Sequence, residues 1–237
     1  MDGSLALARA ARAAGIDTLV ATPHVSARYN NDAGTIARLV DELNGRLVEE
    51  EVDVEIVAGA EIAITRVAEI DAARLSRLGL GGSHWLLMEP PFTPIAPGLE
   101  TMLLDVQDRG HGVVLAHPER CPAFHRDREM LGRLVGAGML LSLTAGSFVG
   151  RFGSEVRRFA LELAHEGMLH NVTSDAHDRD RRPPGLSAEL EQAGLRPLAD
   201  WLTEAVPAAI LSDEEPPPRP ALALPATPAR RSWLRRR

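Results

Sequence analysis

Short apolar runs alternate with longer amphipathic segments along this chain, and this alternation restricts the possible fold more than any other feature. Six runs have the composition of strands: IDTLVA (16–21), VEIVAG (54–59), HWLLME (84–89), GVVLA (112–116), MLLSLT (139–144) and HNVTS (170–174). Strands that alternate with helices form parallel sheets, and continuously apolar strands are buried on both faces. The sequence therefore predicts an α/β fold whose parallel sheet is a closed or nearly closed barrel.

The segments between these runs carry apolar residues at helical spacing. Helices are predicted at Ser4–Ala14, Ile36–Glu50, Leu99–Asp108, Arg128–Val135 and Glu155–His165, with a poorly defined helix at Val67–Leu75. A chain of 237 residues suits one large domain, which we predict at residues 1–212. Six prolines between Pro216 and Pro228 predict an extended, disordered tail at 213–237 with a basic end, RRSWLRRR.

Composition excludes several kinds of chemistry. Cys121 is the single cysteine, so neither an internal disulfide nor a cysteine zinc knuckle is possible. All 26 basic residues are arginine, which removes lysine-based catalysis and the lysine phosphate loop. The net charge is −7, and because residues 213–237 carry three acids and six arginines, residues 1–212 hold −10. Such a charge disfavours nucleic acid as a partner. The absence of a long apolar run and of a signal peptide predicts a cytoplasmic protein.

Five of the six apolar runs lead directly into histidine or acidic residues. The residues delivered in this way are His24, Glu61, Glu89, His117 (followed by Glu119 and Arg120), Asp175 and His177. In parallel barrels the loops after the strands meet at one mouth, where active sites lie. Unpaired charges so close to a core are costly, and metal ions relieve that cost. The sequence therefore predicts a metal site with more than one ion at this mouth.

Nitrogen and oxygen ligands without thiolate suit Mn²⁺, Fe²⁺, Zn²⁺ or Mg²⁺. Two neighbouring divalent ions can generate hydroxide and bind the oxygens of a leaving group, which is the geometry of phosphoester hydrolysis. Arginine binds phosphate with two parallel donors, and Arg120 and Arg182 lie close in sequence to His117 and Asp175. We therefore expect Arg120 and Arg182 to bind phosphate and to take part in catalysis.

The other histidines do not follow this pattern. His84, His111, His165 and His170 lie at strand starts, in a turn or at a helix end, and are predicted to be structural or solvated. His125 is nearer the mouth, and its role stays open.

Five stretches in this order, GIDTLVATPH, GAEI, LMEPP, VLAHPER and SDAHDRDRRPP, make the chain from about Ser4 to about Ala209 resemble a known family. This family is the bacterial tyrosine phosphatases of the PHP (polymerase and histidinol phosphatase) superfamily, which accompany capsule and exopolysaccharide synthesis. The resemblance implies a distorted, TIM-like (β/α)7 barrel with about seven strands and a cluster of two to three ions, preferably Mn²⁺. It also implies removal of phosphate from the tyrosine-rich tail of a bacterial tyrosine kinase that regulates polysaccharide export.

Carried over residue by residue, the resemblance assigns metal ligands and phosphate-binding arginines. The residues that match metal ligands are His24, Glu61, Glu89, His117, Asp175 and His177, and those that match phosphate-binding arginines are Arg120 and Arg182. The family's first strand, with its H-x-H motif and a nearby aspartate, has no counterpart here. We therefore expect that Met1 lies inside a longer reading frame, and we do not count Asp2 as a ligand.

Competing functions differ in mechanism or class. A cysteine-based tyrosine phosphatase needs Cys-x5-Arg, whereas the sixth residue after Cys121 is Asp127, so that mechanism is rejected. The common binuclear amidohydrolase site needs a carbamylated lysine, which this chain lacks. Two alternatives stay open: a histidinol-phosphate phosphatase, and a non-catalytic regulator of polysaccharide export whose metal site is incomplete.

Overall fold

The computed structural model of the chain describes residues 2–221 of 237, and within them eight strands form two parallel sheets. The strands are β1 (Thr18–Ala21), β2 (His24–Val25), β3 (Glu55–Ala58), β4 (Glu61–Ala63), β5 (Trp85–Glu89), β6 (Gly112–Ala116), β7 (Leu140–Thr144) and β8 (Asn171–Thr173). β1 pairs with β3, and the larger sheet has the order β2-β4-β5-β6-β7-β8. β1 leads into β2 and β3 into β4 after two residues each, so the six predicted strands and their parallel arrangement are confirmed.

Ten α-helices lie within the described residues, and five of them correspond to the well-defined predicted helices. They are α1 (Asp2–Ala13), α2 (Ala33–Glu49), α3 (Ala72–Ser76), α4 (Leu99–Asp108), α5 (Pro122–Arg126), α6 (Arg128–Gly136), α7 (Ala145–Phe148), α8 (Ser154–His165), α9 (Ser187–Gln192) and α10 (Val206–Leu211). The poorly defined predicted helix is a 3-10 segment, Ile64–Glu69, followed by the short α3. None of the helices within residues 2–221 has the length and hydropathy needed to cross a membrane.

Aspartate side chains set the start of several helices. Asp32 accepts a hydrogen bond from the backbone N of Thr35 at 3.0 Å and begins α2, and Asp127 accepts one from the backbone N of Met130 at 2.8 Å and begins α6. Such caps satisfy backbone donors that have no partner within the helix. In contrast, α1 begins at Asp2, two residues before its predicted start at Ser4.

The central strands form the core because both of their faces are covered. All five residues of β7 are buried, and Leu86 of β5, Leu115 of β6 and Leu141 of β7 are fully buried. Packing is tight where β5 meets β6: a Cβ on Gly112 would lie 2.4 Å from the ring of Trp85, so only glycine fits at that position. The central strands are thus buried on both faces, as the apolar runs predicted.

A cleft of about 1700 Å³ lies between the two ends of the strand series. Within the described residues, β1 and β8 each pair with one strand, and the cleft is lined by Leu19 and Val20 on one side and by Val172 and Thr173 on the other. No two strands of the described residues pair across this cleft. Five of the predicted ligands line the same cleft: His24, Glu61, His117, Asp175 and His177.

The first residues after the predicted domain boundary contact the domain. The Trp201 indole donates to the carbonyl of Pro217 at 2.9 Å, and the Arg219 guanidinium donates to the carbonyl of Ala164 at 3.0 Å. The rest of the predicted tail, residues 222–237 with the basic end, lies outside the described residues.

Candidate active site

Neighbouring strands bring four of the predicted ligands to one edge of the sheet. His24 in β2 pairs with Glu61 in β4, and two residues further along β4, Ala63 pairs with Glu89 in β5. His117 follows β6 directly, in a left-handed backbone conformation with φ of 33°. Because parallel strands end at the same edge, these side chains enter one space.

Each of the two histidines lies within 4 Å of both glutamates. His24 Nδ1 is 3.6 Å from an oxygen of Glu61 and 3.6 Å from an oxygen of Glu89. His117 Nε2 is 2.7 Å from Glu61 Oε1 and 3.7 Å from Glu89 Oε1. One ligand atom from each of His24, Glu61 and Glu89 can be chosen so that all three lie within 4.8 Å of one another. We call His24, Glu61, Glu89 and His117 the four-residue cluster.

Burial makes the charges of this cluster interdependent. Burial raises the pKa of Glu89, and the adjacent Glu61 carboxylate raises it further. Burial also acts to raise the pKa of Glu61, but the hydrogen bond and charge of His117, with smaller effects of His24 and Arg120, lower it overall. Two carboxylates forced together in a buried site are stabilised by a bound cation.

The donor set fits a divalent metal ion. It combines two imidazoles with two carboxylates and has no thiolate, which is the chemistry that Mn²⁺, Fe²⁺ and Zn²⁺ accept. In addition, His117 Nδ1 is buried and has no hydrogen-bond partner among the described residues. The residues present are therefore suited to holding at least one such ion.

Asp175 and His177 do not join the four-residue cluster. Asp175 has a φ of 50°, and its Oδ2 accepts hydrogen bonds from Arg120 at 2.7 Å and from Arg182. His177 Nδ1 lies 3.7 Å from Asp175 Oδ1, and nearly half of the His177 side chain is exposed. The two predicted phosphate-binding arginines thus converge on one carboxylate, while the assignment of Asp175 and His177 as metal ligands stays a prediction.

Aromatic side chains that the sequence analysis did not single out surround these groups. Phe92 stacks on the His117 ring with centroids 5.3 Å apart, and Tyr29 stacks on the His24 ring at 5.9 Å. The Arg120 Cζ lies 5.4 Å from the Phe92 centroid and 4.3 Å from the Phe152 centroid. Phe92 follows Glu89 by three residues in the stretch EPPF, and this proximity was the only sequence feature pointing to it.

Glu119 fixes the loop that carries His117 and Arg120. Its side chain is fully buried, and its Oε1 accepts hydrogen bonds from the backbone N of Thr144 at 3.0 Å and from Ser147 Oγ at 2.6 Å. Burial raises the pKa of this carboxyl group and favours its neutral form. His125, whose role was open, has its Nε2 2.6 Å from the carbonyl oxygen of Glu119. The contacts of Glu119 and His125 hold the loop of residues 117–120, the HPER loop, in place.

Cys121, His84 and His170 have surroundings that indicate a structural role. Cys121 is buried, its Sγ donates to the carbonyl of Pro91 at 3.3 Å, and burial raises the pKa of the thiol. A nucleophilic cysteine needs a lowered pKa, so the geometry agrees with the rejection of that mechanism. The His84 ring pairs with Asp213, and His170 Nδ1 accepts from the backbone N of Leu141 at 3.1 Å. These two histidines therefore contribute to structure.

The family match and the similar proteins of this chain point to the same group of proteins. Residues 1–194 match the family described as capsular polysaccharide synthesis, CpsB/CapC. The tyrosine-protein phosphatase YwqE of Bacillus subtilis (strain 168) is 35% identical over 176 residues, which are 74% of this chain and 69% of YwqE. CapC of Staphylococcus aureus is 29% identical over 181 residues, which are 76% of this chain and 71% of CapC.

A solved structure has a similar fold. A chain from the crystal structures of YwqE from Bacillus subtilis and CpsB from Streptococcus pneumoniae, both metal-dependent tyrosine phosphatases, superposes with a TM-score of 0.77 at 30% identity. The match covers 92% of this chain and 91% of that chain. The predicted PHP-type α/β fold is confirmed by this similarity.

Proposed function

Since this chain belongs to the CpsB/CapC family of capsular polysaccharide synthesis proteins, we propose that it is a metal-dependent protein-tyrosine phosphatase. The observation that carries the proposal is the position of two arginines beside a cluster of imidazoles and carboxylates. Arg120 and Arg182 meet at Asp175, and the charge of Arg120 acts on both Glu61 and Glu89. This arrangement supports binding of phosphate next to bound metal.

Divalent ions held by His24, Glu61, Glu89 and His117 would supply a hydroxide nucleophile near neutral pH and neutralise charge on the phosphoryl oxygens. The remaining work belongs to side chains of this chain. The guanidinium groups of Arg120 and Arg182 bind phosphoryl oxygens with paired donors and orient the phosphate toward the cluster. Asp175 holds both guanidinium groups in place before substrate arrives, and phosphate replaces it as their acceptor.

We further propose Mn²⁺ as the preferred ion, with two to three ions bound when Asp175 and His177 also act as ligands. The donor set supports this choice because hard oxygen ligands mixed with imidazole suit Mn²⁺. The proposed substrate is the phosphorylated tyrosine-rich tail of a bacterial tyrosine kinase that controls capsule or exopolysaccharide synthesis. The family's role in capsular polysaccharide synthesis supports this assignment.

The test is hydrolysis of a phosphotyrosine peptide by the full chain, measured without metal, with Mn²⁺, and with a chelator. We expect activity that the chelator removes and that Mn²⁺ restores better than Mg²⁺ or Zn²⁺. Cys121→Ser serves as the matched control and should keep full activity, because the thiol is buried and its Sγ donates to the carbonyl of Pro91, which a serine hydroxyl can do as well.

Other outcomes would change the assignment in defined ways. Faster turnover of histidinol phosphate than of phosphotyrosine would favour a phosphatase of amino-acid biosynthesis. Metal binding without turnover of either substrate would favour a non-catalytic regulator. Activity that persists in chelator would exclude the metal mechanism.

A further inference from the structure

The loop between β5 and α4 presents one exposed aromatic ring at the mouth of the site. Phe92 is 49% exposed, and one face of its ring stacks against the His117 imidazole with an interplanar angle of 23°. The exposed remainder is apolar surface in contact with water, beside a cluster of charged groups. Covering this surface with another apolar group is favourable.

Arg120 connects this ring with the phosphate-binding part of the site. Its guanidinium lies near both Phe92 and Phe152, with Cζ 5.4 Å and 4.3 Å from the two ring centroids. A phosphate bound by Arg120 therefore lies next to Phe92. In a phosphate monoester a single oxygen separates phosphorus from the esterified group, so that group reaches the exposed part of the Phe92 ring.

We propose that Phe92 selects aryl phosphates over alkyl phosphates by stacking on the phenol ring of phosphotyrosine. This inference rests on the proposed function and names the residue that determines its specificity. Aromatic rings with centroids 4.5–7 Å apart attract each other in offset or edge-to-face arrangements, beyond the effect of buried area. An alkyl chain gains no such attraction and covers less of the ring.

Phe152 has a different role in this arrangement. It lies between α7 and α8, is only partly exposed, and is closer to the guanidinium than Phe92 is. A cation held over an aromatic face keeps its orientation. Phe152 is therefore a positioning residue for Arg120, and its loss should weaken the binding of every phosphate to a similar extent.

The experiment measures binding of two non-hydrolysable probes, phenylphosphonate and methylphosphonate, to the full chain in the presence of Mn²⁺ by calorimetry. In Phe92→Leu the preference for phenylphosphonate should fall about threefold to tenfold, while methylphosphonate affinity changes less than twofold. Ile95→Ala is the matched control, because Ile95 is a 68% exposed apolar residue of the same loop without an aromatic ring. This control should keep the preference.

Each alternative result has a defined meaning. If Phe92→Leu weakens both phosphonates equally, or if only Phe152→Leu removes the preference, the assignment to Phe92 is overturned. If the unmodified chain binds neither phosphonate, both the role of Phe92 and the proposed function are contradicted. If the chain shows the preference but does not hydrolyse a phosphotyrosine peptide, the proposed catalytic function fails while the stacking role of Phe92 stands.

Discussion

The carboxylate of Asp175 and the guanidinium of Arg120 form an ion pair of 2.7 Å at the mouth of the site, and Arg182 donates to the same carboxylate oxygen. Asp175 is mostly buried and adopts a left-handed backbone conformation, which costs free energy in a residue other than glycine. A strained, buried carboxylate that gathers two arginines indicates a function that needs both guanidinium groups together. Binding a doubly charged phosphate is such a function.

The first prediction concerns these arginines. Arg120→Ala and Arg182→Ala should each lower kcat/KM for a phosphotyrosine peptide by about 30- to 150-fold, since a hydrogen bond to a charged group contributes about 2 to 3 kcal/mol. Bound metal, measured by elemental analysis, should stay nearly unchanged because arginine does not bind cations. Arg133→Ala is the surface control, as its partner is the exposed carboxylate of Glu100. If metal is lost together with activity, these arginines do not act as phosphate ligands alone.

The second prediction concerns the metal ligands. Mn²⁺ at about 100 times its dissociation constant should stabilise the chain by about 2.7 kcal/mol, visible as a higher Tm. This shift should disappear in Glu61→Gln and shrink in Asp175→Ala and His177→Ala. Glu100→Gln, which changes an exposed carboxylate on α4, should keep it. An unchanged metal shift in the Asp175 and His177 variants would restrict the ligand set to the four-residue cluster.

Sequence reasoning predicted the strands well because burial of both faces leaves a local mark, namely runs of apolar residues. It also predicted that His24, Glu61, Glu89 and His117 converge, since polar residues after neighbouring parallel strands meet at one edge. The ion pairs of Asp175 could not be predicted, because they depend on a positive φ within a loop. The approach of Phe92 and Phe152 to Arg120 could not be predicted either, because both rings are far from Arg120 in sequence and reach it only through tertiary packing.

The third prediction concerns Glu119, which we expect to act as a positioning residue. Glu119→Leu leaves the backbone N–H of Thr144 without its acceptor, which costs about 1 to 3 kcal/mol and lowers Tm by about 2 to 12 °C. Glu119→Gln keeps an acceptor oxygen and resembles the neutral carboxyl group, so its Tm should stay close to that of the unmodified chain. Thermal unfolding measures both.

A purely structural role for Glu119 can be separated from positioning by kinetics well below Tm. Loosening the HPER loop moves His117 and Arg120, so Glu119→Leu should reduce kcat at saturating substrate, and Glu119→Gln should restore it. A Leu variant that is less stable yet has the kcat of the unmodified chain would contradict the positioning role.

The fourth prediction concerns the pH dependence of stability through His170. Burial lowers the pKa of His170 from 6.5 to about 4, although a hydrogen bond of the ring to the Met168 backbone opposes this shift. At pH values between these two, the unfolded chain binds a proton at His170 and the folded chain does not. The contribution of His170 is therefore present above pH 6.5 and is lost as the pH falls toward 4, by about 3 kcal/mol in total.

The variant His170→Asn tests this directly, because the asparagine oxygen can accept the hydrogen bond that Nδ1 now accepts from the backbone N of Leu141. The free energy of unfolding, measured by denaturant titration between pH 7 and pH 4.5, should fall less steeply in His170→Asn than in the unmodified chain. His165→Gln, which replaces an exposed histidine at the end of α8, is the control and should keep the full slope. Equal slopes in all three proteins would show that His170 is protonated as readily in the folded chain as in the unfolded one. The acid sensitivity would then have to come from the carboxylates.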